Sequence, residues 1–75
     1  MNKSEGLTLR ELREQNKNTA AEVAAVLGIS ERALYYYENG KRRISLEQVL
    51  TLAMLYNETV EEIIKAQLNS CQNVR

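Results

Sequence analysis

Residues 19–43, TAAEVAAVLGISERALYYYENGKRR, carry the reading that decides the fold. Val23, Ala24 and Leu27 recur at helical spacing, and Leu34 and Tyr37 do so again further on. Gly28 and Ile29 fall between the two runs, a joint too short to let the helices stack antiparallel. Two short helices across a tight turn make a helix-turn-helix, and that motif predicts DNA as the partner.

Working outward, helix starts are marked by capping boxes. In that motif a hydroxyl and an acid or amide three residues on satisfy each other's free backbone N–H groups. Thr8 with Glu11, Thr19 with Glu22, Ser45 with Gln48 and Thr59 with Glu62 fit it, and Ser30 is a cap without the box partner. Ser4 offers an earlier start for the first helix. Leu7 with Leu12, Ile29 with Leu34 and Ile44 with Val49 form apolar staples across three of these starts. Gly28, Gly40 and Asn57 suit the left-handed position that closes a helix. The spacing predicts helices over 8–16, 20–27, 31–38, 46–56 and 60–68, with 69–75 a flexible tail.

Periodicity also predicts the core. Leu9 and Leu12 face inward from helix 1, Val23, Ala24 and Leu27 from helix 2, and Leu34 and Tyr37 from helix 3. Ile29 joins them from the turn. Helix 4 offers Val49, Leu50, Leu52, Ala53 and either Leu55 or Tyr56, which marks it as the central helix. Val60, Ile63 and Ile64 complete the set.

The 75 residues form one domain, with a core over about 7–68. A domain this small buries only about 60% of its unfolded surface, so its stability is expected to be modest unless it oligomerises. The absence of Pro, the scarcity of Gly and the abundance of Leu and Ala predict an all-α fold. No apolar run approaches the ~20 residues that span a membrane. The opening MNKSEG lacks the apolar core of a signal peptide. Cys71 is the single cysteine, which fits a reducing cytoplasm and excludes an internal disulfide. With no His and one Cys, a structural zinc lacks its usual ligands, and no cofactor is expected.

The net charge is zero, but it is unevenly spread. Residues 30–43 set Arg32, Lys41, Arg42 and Arg43 against Glu31 and Glu38. Residues 44–75 set Lys65 and Arg75 against Glu47, Glu58, Glu61 and Glu62. The positive end therefore falls on the second helix of the motif and the loop after it.

The run Ala24, Gly28, Leu34, Tyr37 and Glu38-Asn39-Gly40-Lys41 resembles the Cro/C1-type (XRE) helix-turn-helix domain of phage and bacterial repressors. Ser45-Leu46-Glu47 and Val60-Glu61-Glu62-Ile63-Ile64 extend the resemblance, which covers residues 7–64. It implies a compact five-helix, lambda-repressor-like domain with helix 3 in the major groove. Carried onto this chain, the base readers are Glu31, Arg32 and Tyr36, with Tyr35 on the flank. Arg32 can donate to O6 and N7 of guanine, Glu31 can accept from cytosine N4, and Tyr36 can meet a thymine methyl or donate its hydroxyl. The competing reading makes Arg32 a phosphate contact or a solvated arginine, and Glu31 a charge that favours the helix N-terminus or orients Arg32. Successive helical residues point about 100° apart, so Tyr35, Tyr36 and Tyr37 cannot share one role. Tyr37 takes the core position, and Tyr35 and Tyr36 are otherwise a protein-binding surface.

The resemblance implies phosphate contacts from Asn39, Lys41, Arg42 and Arg43, and from the capped helix starts at Thr19 and Ser30. One departure stands out. Ala20 occupies the place of a phosphate-binding Gln in most members, which leaves compensation to Asn18 or Lys17. Arg13 and Glu38 match a family ion pair beneath the recognition surface. A two-fold dimer on a palindrome is implied, with Val60, Ile64, Gln67 and Leu68 as its surface. These residues could instead only seal the monomer core.

The sequence thus predicts a DNA-binding transcriptional regulator, a repressor, with no membrane or small-molecule partner. It lacks His, Asp and a glycine-rich phosphate loop, and is not expected to be an enzyme. The rival from another class is a protein-binding adaptor or antitoxin-like module on the same fold, gripping its partner through Tyr35 and Tyr36.

Overall fold

The computed structural model describes residues 7–72. Among these, five helices form and no strand does: α1 Leu9–Gln15, α2 Ala20–Leu27, α3 Glu31–Glu38, α4 Leu46–Leu55 and α5 Val60–Gln72. Ser4 lies outside the described residues, and Thr8 caps α1.

The starts form as local chemistry dictates. Thr8 with Glu11, Thr19 with Glu22 and Ser45 with Gln48 close complete capping boxes. Ser30 Oγ accepts from the Ala33 N–H at 3.0 Å. Thr59 Oγ1 accepts from the Glu62 N–H at 3.1 Å, while the Glu62 carboxylate lies 4.0 Å from Lys65 Nζ.

Gly28 closes α2 at φ 72°, with its own N–H and that of Ile29 turned back onto Ala25 and Ala24. A Cβ added there would meet nothing within 4 Å, so conformation rather than space selects glycine. The turn then delivers Ile29 to the core and Ser30 to the start of α3.

The core gathers Leu9, Leu12, Ala20, Val23, Ala24, Leu34, Val49, Leu52, Ala53, Tyr56, Ile63 and Ala66. Two expectations are corrected and one left open is decided. Helix 4 is not the hub: α5 packs against α1, α3 and α4, whereas α4 meets α2 and α5. Leu50 is 49% exposed, one member of an outward row with Leu46 and Met54. Tyr56 rather than Leu55 fills the core at the end of α4.

The fifth helix also outruns its expected end at residue 68. Ser70 is buried, its Oγ accepting from the Leu9 N–H at 3.1 Å and donating to the Ala66 carbonyl at 2.8 Å. Asn69 Nδ2 donates to the Leu7 carbonyl at 2.8 Å. Residues 69–72 are therefore a docked last turn rather than a tail, because they satisfy backbone groups at the start of α1. Residues 73–75 lie outside the described residues.

Candidate nucleic-acid interface

Helix α3 has two faces. Leu34, Tyr37 and Glu38 are buried, while Glu31, Arg32, Tyr35 and Tyr36 are exposed. Arg32 and Tyr36 are one turn apart and share the outer side. Glu31 opens the helix, where a carboxylate favours the positive end of the dipole.

The inner face is locked by a bidentate ion pair. Arg13 Nε donates to Glu38 Oε2 at 2.7 Å and its Nη2 to Oε1 at 3.1 Å. The two side chains are only 11% and 2% exposed. Arg13 Nη1 also reaches the Asn18 carbonyl at 3.4 Å, so one guanidinium ties α1, the α1–α2 turn and α3. The hydrogen bonds that Arg13 donates to Glu38 raise its pKa, against the opposing cost of burial. Burial first, and then the negative charge of Glu38, push the Tyr56 phenol well above its ordinary range.

Beyond α3 the chain folds back on itself. Asn39 donates its N–H to the Tyr35 carbonyl at 2.8 Å and Lys41 donates to the Tyr36 carbonyl at 2.9 Å. Gly40 makes the turn possible at φ 76°. Lys41, Arg42 and Arg43 are all exposed. Arg42 does not stand free: its Cζ sits over the Tyr36 ring, 5.6 Å from the centroid. This contact escaped the sequence reading, because only the folded-back loop brings the two residues together.

The start of α2 is differently equipped. Thr19 Oγ1 accepts from the Glu22 N–H at 3.1 Å, and Glu22 Oε1 accepts from the Thr19 N–H at 2.9 Å. The Thr19 N–H bond, helped by Asn18 Nδ2 at 3.5 Å, holds the Glu22 carboxyl below its usual range. A carboxylate thus occupies one of the donors a phosphate would use. Ala20 turns inward and is buried, so the position for which the resemblance implies a phosphate-binding Gln adds a methyl to the core instead. Lys17 and Asn18 sit in the turn just before, Lys17 exposed and at φ 59°.

The residues expected on a dimer surface separate. Ile64 and Leu68 are 44% and 45% exposed, and Val60 packs half-buried against the core. Gln67 is drawn inside, its Oε1 accepting from the Ile44 N–H at 2.8 Å and its Nε2 facing Cys71 Sγ at 3.5 Å. It therefore holds the α3–α4 loop to α5 and does not face a second molecule. Among the described residues no cluster of metal-ligating side chains occurs, and no helix is long and apolar enough to cross a membrane.

The helix-turn-helix family profile matches residues 9–63, which spans α1 to the first turn of α5. The chain is 34% identical over 73 residues to a candidate HTH-type transcriptional regulatory protein of Thermococcus kodakarensis, covering 93% of this chain and 23% of that one. It is 36% identical over 59 residues to a counterpart in Thermococcus gammatolerans, covering 79% and 19%. A third, from Pyrococcus horikoshii, is 34% identical over 67 residues, covering 85% and 21%. The chain thus spans about a fifth of the length of these relatives. No solved structure matches. The profile match over most of the chain, on a five-helix frame with an exposed α3, places this chain in the XRE-type helix-turn-helix family of transcriptional regulators.

Proposed function

We propose that the chain is a cytoplasmic, sequence-specific repressor that occupies a palindromic operator as a dimer, with α3 in the major groove. The observation that carries this is the row Glu31, Arg32 and Tyr36 on the exposed side of α3, continued by the basic Lys41-Arg42-Arg43. The inner side of α3 is committed to the core and to the Arg13 pair, so the outer side is free for base edges. Asn39, Lys41, Arg42, Arg43, Lys17, Thr19 and Ser30 supply phosphate contacts, and affinity comes from counterion release. The exposed Ile64 and Leu68, with Val60, support the dimer surface on α5. Half-sites then lie roughly 34 Å apart. Selection from random duplexes with the purified chain is the test. Enrichment of a palindrome is expected, and recovery of unrelated sequences only would defeat the reading.

A second reading is favoured by one observation. The buried Ala20 and the Glu22 carboxylate leave the α2 start poor in phosphate contacts. An adaptor or antitoxin-like module would instead use the exposed Tyr35 and Tyr36 against a protein. Joint replacement of Arg32 and Tyr36 by Ala separates the two. Loss of sequence preference with nonspecific binding retained supports the repressor, and unchanged DNA binding with loss of a protein partner supports the adaptor.

A further inference from the structure

Three basic residues follow α3, and the fold treats one of them differently. Lys41 is anchored through its backbone to the Tyr36 carbonyl at 2.9 Å. The next residue, Arg42, is thereby returned to the outer face of α3, with its Cζ over the Tyr36 ring at 5.6 Å. Among the described residues, it is the basic side chain of this loop that sits over an aromatic ring. Tyr36 in turn stands one helical turn from Arg32 on the exposed side. Arg32, Tyr36 and Arg42 therefore make one continuous surface drawn from two segments of the chain.

We propose that Arg42 is a specificity-determining residue: held over Tyr36, its guanidinium reads a guanine edge in the major groove beside the site of Arg32. This rests on the DNA-binding reading above and changes one role within it, from phosphate anchor to base reader.

The physical case has two parts. A guanidinium on an open loop samples many rotamers, and the long reach of Coulomb attraction sends it to the nearest phosphate. Contact with an aromatic face restricts those rotamers and keeps the head group beside the groove-facing side of α3. A guanidinium that meets a ring with its face keeps the planar fork of N–H donors at its edge available. That fork matches O6 and N7 of guanine. Tyr36 is thus a positioning residue for Arg42 in addition to any contact of its own hydroxyl.

The test uses the full chain in random-duplex selection, followed by salt titrations on the selected site. Wild type, Arg42→Ala, Arg42→Lys, Tyr36→Phe and Tyr36→Leu are compared. Arg42→Ala and Tyr36→Leu are expected to lose discrimination at the same base position, by about 5- to 150-fold. Tyr36→Phe retains discrimination there, because the ring remains. Arg42→Lys keeps the salt slope but weakens the preference, because an ammonium lacks the planar fork and does not stack on the ring. A plain phosphate role would overturn the proposal: Arg42→Ala would weaken every sequence alike, lowering the salt slope by about one and leaving the selected motif intact. A wild type that binds with no preferred sequence would overturn the underlying DNA-reading assignment, and this role for Arg42 with it.

Discussion

At the scale of single residues, two positions carry unusual costs. Lys17 holds φ 59°, a left-handed conformation that strains a side chain with a Cβ. Lys17→Gly is expected to raise stability by about 0.5–1 kcal/mol, strain relief less the entropy cost of glycine. If Lys17 serves a phosphate, the same change weakens binding to every sequence and lowers the salt slope by about one. Urea unfolding beside a salt titration measures both, and a destabilised variant would refute the strain argument. Glu38 is the other position. Glu38→Ala strands the nearly buried Arg13 guanidinium and is expected to cost about 3–5 kcal/mol in urea unfolding. Joint replacement of Arg13 by Met and Glu38 by Leu recovers most of that loss. A double variant as unstable as the single one would show that the pair itself, not the orphaned charge, supplies the stability.

Among the elements, α5 differs most from expectation. Its last turn is fastened to the start of α1 by Ser70, whose hydroxyl completes the Leu9 N–H. Ser70→Ala leaves that buried donor unpaired and is expected to cost about 1–3 kcal/mol, read from the denaturation midpoint. A cost near zero would mean that water reaches the Leu9 N–H. The same bond explains what the sequence could tell. Thr8, Thr19, Ser30 and Ser45 were legible as caps because each acts within three residues of itself. Ser70 and Leu9 are 61 positions apart, and no local pattern links a polar residue near a terminus to a particular free N–H. Leu50 misled for a related reason. Apolar residues on α4 outnumber the positions it buries, and periodicity cannot say which flank of a broad stripe faces out. On α3 the core positions followed from the Leu34–Tyr37 spacing and the outward ones from the family resemblance, whereas the Tyr36–Arg42 contact depended on how the loop returned.

For the whole molecule, alkaline pH is the informative axis. The folded state keeps the Tyr56 proton to a pH well above the ordinary value of 10.0, mainly because the phenol is buried and secondly because Glu38 is near. Above that value the unfolded chain binds fewer protons than the folded one, so stability is fully present below it and declines as pH rises. The decline approaches about 1.4 kcal/mol per pH unit. Arg13, with its raised pKa, acts in the same direction at still higher pH. Urea unfolding at pH 9 and pH 11 should show a steep loss in the wild type and a shallower one in Tyr56→Phe. Equal slopes in the two proteins would assign the alkaline loss to other groups.

The division of α3 into an inner and an outer side has a consequence for how such a domain changes over time. The residues that hold the helix, Leu34, Tyr37 and Glu38, are not the ones it exposes, Glu31, Arg32, Tyr35 and Tyr36. Glu31 and Arg32 can therefore drift through many residue types while the scaffold keeps its shape. Exposed substitutions of this kind usually stay within about 0.5 kcal/mol. A library randomised at these two positions should remain largely folded while its members diverge in the duplexes they select. Arg42 comes from a separate segment, so on the reading proposed above it adds a third position that varies without a change in the residues of the helix.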